Sequence, residues 1–170
     1  MRMMRSNFTT HRRSTLASGR PLTPGEIDLA RSIFGDEIDY ARVRVHNCKW
    51  RFFMPHHRPH APNGHIYFPP GTSSYATDFS KAELRDRSVF IHELAHVWQH
   101  QQGVNVAGRA VMNRNYDYGR VFRGRPFARL GVEAQAKMIG DYFLLKNGAL
   151  LDGRPPVDAY EGLLPFAATS

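Results

Sequence analysis

The chain has 170 residues, 42% of them hydrophobic and 12% aromatic, with a formal net charge of +8 and a single cysteine. That length and composition suit one globular domain with a sizeable core, and the lone Cys48 excludes an internal disulfide or a multi-cysteine zinc finger. The positive charge fits an anionic partner or a solubilised surface with a basic tail; no nucleic-acid-binding motif accompanies it, which favours the second.

Residues 1–21 are basic and rich in Ser and Thr, and read as a flexible leader. They lack an apolar segment of the secretory type, and no stretch of the chain approaches the ~20 apolar residues of a membrane span. The expected location is therefore the cytoplasm of the producing cell, with any export left to a separate machine. Thr23-Pro24-Gly25-Glu26 has a cap, a first-turn proline and a capping-box glutamate; Ile27, Leu29, Ala30, Ile33 and Phe34 follow at helical spacing, and Gly35 stops the helix. Alternation over Ala41–His46 predicts a strand, and a second is placed at Trp50–Phe53. Pro55–Gly64 is a loop holding His56, His57 and His60, with His65 beyond it. These histidines are expected to be solvent-exposed, since no element fixes them at ligand distance. His65–Phe68 is a short strand closed by Pro69-Pro70-Gly71. His46, at a strand end, reads as a structural hydrogen-bonding residue, and Cys48 as a small buried hydrophobe.

Ser80-Lys81-Ala82-Glu83 has the form of a second capping box, and Val89–Gln102 reads as a helix ended by Gly103. Asn105–Pro126 is irregular, Phe127–Lys146 is a long helix ending at Asn147-Gly148, and the stretch after Asp152 is an extended surface tail. The division is a leader at 1–21, a domain at 22–152 and a tail at 153–170. The element order predicts an α+β fold with a small antiparallel sheet.

His92-Glu93-Leu94-Ala95-His96 is the most informative segment. Two histidines four apart on a helix stand one above the other, about 6 Å along the axis, so both imidazoles reach one ion. Glu93 falls on nearly the same side, placed to take a proton from a water activated there. The pattern predicts a zinc site with its own general base. The alternative is an amphipathic helix carrying two surface histidines.

A catalytic zinc usually takes three protein ligands. No histidine follows His100, which lies about 12 Å along the axis from His92 and does not easily join both histidines on one ion. Gln99 and Gln102 stand where a metzincin has its glycine and third histidine, which excludes that class. Among downstream carboxylates, Glu133 borders the apolar stripe Val132, Ala136, Ile139 and Phe143, while the small Ala136 and Gly140 allow close helix approach. Glu133 can then point to the histidines from the neighbouring helix, as in gluzincins, or face solvent paired with Lys137.

The chain resembles the zinc-peptidase-like core domain associated with bacterial contractile injection systems, including type VI secretion. Three segments carry the likeness: Leu22–His46, with Ile33-Phe34-Gly35 and Val43-Arg44-Val45-His46; Gly64–Gly71; and Val89–Gln102. Glu133-Ala134-Gln135 stands where that family usually has Glu-Ala-Asp. The resemblance implies a zincin-like fold, with a second long helix supplying the third ligand, and zinc held by His92, His96 and Glu133. The acidic residues expected at positions 135 and 137 are Gln135 and Lys137, leaving Asp141 or Asp117 as substitutes to orient the histidines.

The leading expectation is a zinc metallopeptidase in which Glu93 is the base and Tyr116, Tyr118 or Arg120 stabilises the charged carbonyl oxygen. Its substrate is protein or a peptidoglycan stem peptide, and a secretion spike or immunity protein is its partner. The alternative is a zinc-stabilised adaptor docked to the spike. A third, a nucleic-acid-associated protease, needs one continuous arginine stripe and is disfavoured.

Overall fold

In the computed structural model the described residues are 19–51, 58–72, 74–112 and 114–166. Strand β1 (Arg20–Pro21) leads into α1 (Pro24–Phe34), followed by β2 (Arg44–His46), β3 (Ile66–Tyr67), α2 (Leu84–Gln101), α3 (Val106–Met112) and α4 (Val132–Lys146). The result is an α+β domain whose small sheet runs β1-β2-β3. Among the described residues no helix is long and apolar enough to cross a membrane.

The start of α1 follows its sequence. The Thr23 hydroxyl accepts the Glu26 N–H at 3.1 Å, and the Glu26 carboxylate accepts the Thr23 N–H at 2.9 Å. Gly35 ends the helix with φ 56°, its N–H bonded to the Arg31 carbonyl. Glu26 does more than cap. It is fully buried, bonded to Arg20 at 2.7 and 2.8 Å and to the Phe79 N–H at 2.9 Å. One carboxylate thus ties β1, α1 and the approach to α2. This moves the leader boundary: Arg20 and Pro21 belong to the fold. Removing one partner of a buried pair strands the other charge, at about 3–5 kcal/mol. Glu26→Ala should lower the thermal midpoint by about 10 °C; an unchanged midpoint in a thermal scan would show that the tie contributes little.

The sheet is mixed rather than antiparallel. Strand β1 pairs antiparallel with β2 (Arg20 with Val45), but β2 pairs parallel with β3 (Val45 with Ile66). A long excursion separates β2 from β3, and the chain returns along β2 in the same direction, which a tight hairpin could not allow. The strand expected over 41–46 is shortened by a 3-10 turn at Tyr40–Arg42. Trp50 and Arg51 are bends, and Phe52 and Phe53 lie outside the described residues, as do His56 and His57.

Four further expectations are corrected. The second capping box does not form: Asp78 takes the Ser80 N–H and hydroxyl, capping a 3-10 turn at Phe79–Lys81, and α2 begins after Glu83 without a side-chain cap. The stretch 105–126 contains α3, and the helix expected from Phe127 starts only at Val132 after a 3-10 turn. The segment after Asp152 is also no surface tail, because it turns through Val157–Tyr160 and buries Tyr160 and Leu164.

Helices α2 and α4 pack directly on one another. Phe90, Ile91, Leu94 and Val97 of α2 are buried with Ala136, Met138, Ile139 and Phe143 of α4. Where they cross, the Ser88 hydroxyl donates to the Gly140 carbonyl at 3.2 Å. Phe79 stacks between Phe68 and Phe90, at centroid distances of 4.8 and 4.7 Å, and so ties the sheet to α2. The crossing of α2 and α4 sets the site.

Candidate metal centre

His92 and His96 project from α2 with ring centroids 5.0 Å apart and planes nearly perpendicular. Glu133, in the first turn of α4, meets them: its Oε2 is 3.5 Å from His92 Nε2 and 3.4 Å from His96 Nε2. One ligand atom from each lies within 4.8 Å of the others, so the three could hold a metal ion. The spacing bears on this. Hydrogen bonds from a ring nitrogen to a carboxylate fall at about 2.7–3.2 Å. Tetrahedral co-ligands with bonds near 2.05 Å sit about 3.3 Å apart. The observed gaps are nearer the second, and two imidazoles with one carboxylate are a donor set that zinc accepts. The solvent-facing alternative for Glu133 fails, since the residue is buried and Lys137 pairs with Asp141 instead.

The electrostatics are those of an interlocked cluster. Burial pushes the Glu133 carboxyl up, but the facing His92 and His96 outweigh it and hold the group well below the usual carboxylate range. Burial works to lower His96, and Glu133 and Glu93 raise it on balance. Glu93 is 5% exposed, and burial drives its carboxyl up against the counteracting imidazoles. Its Oε2 is buried and has no hydrogen-bond partner. A buried, unpartnered carboxylate oxygen beside two imidazoles is costly unless it serves a purpose.

His96 is held from behind by amides. Its Nδ1 lies 2.8 Å from Gln99 Oε1; Gln99 Nε2 donates to Gln135 Oε1 at 2.8 Å and to the Val132 carbonyl at 2.9 Å; Gln135 Nε2 donates to the Phe127 carbonyl at 3.2 Å. Each amide in this series has one orientation that satisfies it, and together they require a proton on Nδ1. That leaves Nε2 as the ring atom that faces Glu133. Sequence reasoning missed this role for Gln99. The available signal was its position three residues after His96, on the same helix face.

The other expected residues divide. Tyr116 stands by the cluster, its ring 6.5 Å from that of His92 and its hydroxyl 3.4 Å from Arg58 Nη1. Tyr118 does not: it is fully buried, its hydroxyl donates to Asp141 at 2.5 Å and it meets Tyr160 at 2.8 Å. Burial and the Asp141 carboxylate push its pKa far up, so it is a structural donor, not a partner for a reacting group. Arg120 is exposed and lines a separate small hollow with Asp117 and Arg129. Neither substitute carboxylate reaches a histidine. Asp141 is taken by Tyr118, Lys137 and Arg154, and Asp117 by the Gly119 N–H. His60 and His65 are half-buried rather than exposed, and burial lowers both. His46 stacks on Tyr67 at 4.5 Å. Cys48 is half-buried.

The cluster opens into a cavity of about 710 Å³ bounded by α2, α3, α4 and the segment 58–62. Arg58, unmarked in the sequence because it sits in a Pro- and His-rich loop, is on its wall. The class defined by fold and site is an α+β domain with a helix-borne pair of histidines, a carboxylate from the adjoining helix and a free buried glutamate at the floor of a cleft.

Comparison with known proteins narrows this. Over 138 residues the chain is 40% identical to the type VI secretion system spike protein VgrG2b of Pseudomonas aeruginosa, a match covering 76% of this chain and 13% of that protein. It is also similar to the solved effector domain of Pseudomonas aeruginosa VgrG2b, with 37% identity and a TM-score of 0.67 over 78% of this chain and 77% of that one. No protein-family model matches the chain. The chain belongs to the family of the VgrG2b effector domain. It spans only about an eighth of the length of the spike protein itself.

Proposed function

We propose that this chain is a zinc-dependent metallopeptidase of the gluzincin type, acting as an effector that a type VI secretion or related injection apparatus delivers in association with its spike. The effector role follows from the VgrG2b likeness. The chemistry rests on one observation above all: His92, His96 and Glu133 converge at co-ligand spacing beside the unpartnered Glu93 oxygen.

His92 Nε2, His96 Nε2 and the Glu133 carboxylate would hold the ion, which when bound supplies a Lewis acid and an acidified water. Glu93 takes the water proton and passes it to the leaving amine; its burial strengthens it as a base by disfavouring the charged form. The Tyr116 hydroxyl, beside Arg58, donates to the substrate carbonyl oxygen as that atom gains charge. Protein and peptidoglycan stem peptide are the substrate classes that such hydrolysis serves, and an immunity protein covering the cleft is the corresponding partner in the producing cell. A zinc-stabilised adaptor is the second reading, favoured by the relative being a spike protein. The two separate on one experiment. Both expect about one zinc per purified chain, and only the peptidase expects cleavage of a peptide mixture that stops when a chelator is added.

Gln99 supplies a further test. Losing the group behind a metal-bound histidine costs about 10–100-fold in metal affinity. Gln99→Ala should weaken zinc binding by that factor in competition with a coloured chelator, while Gln101→Ala, a half-buried amide bonded to the Asp39 backbone, should not. Equal affinities for the two variants would remove Gln99 from the site.

A further inference from the structure

The cleft carries an imbalance of charge that hydrolysis alone does not explain. Its lining includes the cations Arg51, Arg58, Arg114 and Lys137 and the carboxylates Glu93, Glu133 and Asp141. The carboxylates are committed: Glu133 to the two imidazoles, Asp141 to Tyr118, Lys137 and Arg154, and Glu93 to the reacting centre. Lys137 is thereby used. Among the described residues Arg58 and Arg114 have no carboxylate partner, and Arg51 lies over the Trp50 ring at 4.6 Å. Arg58 reaches Tyr116, which in turn sits by His92, so this cation lies within about three extended residues of the reacting centre. The same lining carries the apolar side chains of Val89, Ala107, Ala110 and Leu144. Water is partly excluded at such a wall, and an unpaired guanidinium there offers a planar fork of donors that fits a carboxylate.

We propose that the cleft selects polypeptides that place a carboxylate on Arg58, within about three residues of the scissile bond, with Arg114 as a second cation on the same lining, and an apolar side chain against Val89 and Leu144. This rests on the peptidase reading and deepens it. The carboxylate is either an acidic side chain or the free C-terminus of the substrate, since both present the same two oxygens.

The test measures binding apart from cleavage. Zinc-loaded Glu93→Gln protein is titrated, at about 150 mM salt, into fluorescein-labelled peptides in which Glu residues flank a central Leu. The comparisons are the same peptide with Gln, both ends capped, and the Gln peptide with a free C-terminal carboxylate. The charged peptides should bind about tenfold more tightly than the capped Gln peptide. Adding Arg58→Ala or Arg114→Ala should shrink that ratio to within about twofold, Arg58→Lys should restore part of it, and Arg123→Ala, at an exposed position outside the cleft, should leave it. A gain by the Glu peptide alone identifies acidic side chains as the source, and a gain by the free-ended peptide alone identifies the C-terminus. Equal binding of all three peptides, no binding at all, or a ratio that survives in the double Arg58→Ala, Arg114→Ala variant overturns the inference. So does a ratio lost equally with Arg123→Ala, which would make the preference one of overall charge. Cleavage of the same peptides by the unaltered chain is scored separately. If zinc is bound and no peptide of any charge is cut, the peptidase reading falls, while the binding ratio still decides the selectivity.

Discussion

Under the proposed chemistry Glu93→Gln should keep about one zinc per chain and lose turnover by about three orders of magnitude. The substitution preserves shape and removes only the ability to accept a proton. General-base contributions run to about 10²–10⁴-fold, and the upper half applies where no second base is at hand. Here none is: among the described residues Glu133 is the other carboxylate at the cluster, and it is bound up between His92 and His96. Retention of zinc is the necessary control, because Glu93 is not among the three converging ligands. The fold should also tolerate the change. Glu93 Oε2 makes no hydrogen bond, and replacing a buried carboxyl with a neutral amide relieves desolvation. A Gln variant that holds zinc and still cuts at the original rate would remove Glu93 from the mechanism, and with it the main reason to read the site as catalytic.

Removing the metal should be felt by the whole domain. A ligand present at about 1,000 times its dissociation constant stabilises the folded chain by about 4 kcal/mol. In a chain of this size that raises the unfolding midpoint by about 10 °C. The three candidate ligands come from two helices that pack on one another in the core, so a bound ion would tie α2 to α4 directly. Zinc added to chelator-treated protein should therefore raise the midpoint by that amount. His96→Ala should abolish the response, and Glu133→Gln, which keeps an oxygen but loses the charge, should reduce it. A midpoint indifferent to zinc in the unaltered chain would show that the cluster does not bind the ion.

Much of this centre was legible because its parts are local. His92 and His96 lie four apart on one helix, and Glu133 borders the apolar stripe of the next strongly helical segment, where the family resemblance also implies a ligand. The failures share a different cause. Tyr116 and Tyr118 are two residues apart and chemically alike; only the path of the chain decides that one meets His92 while the other is locked against Asp141 and Tyr160. The amides Gln99 and Gln135 act across 36 positions of sequence through neutral groups, which leave no charge pattern or periodicity to read. The seven residues of α3, with a glycine among them, are too short for a helical repeat to stand out. The parallel pairing of β2 with β3 follows from where a long loop returns, and three- and two-residue strands carry no record of that.

The neutral hold on His96 has an outcome for the reaction itself. A carboxylate behind a zinc-bound imidazole pushes electron density towards the ion and takes up protons as the medium acidifies. Gln99 does neither. Under the proposed chemistry the ion is left a stronger electrophile, and no titrating group stands behind the His96 ring. Gln99→Glu should then make the enzyme slower and shift the acid limb of its rate profile, as a titrating group enters behind the ring.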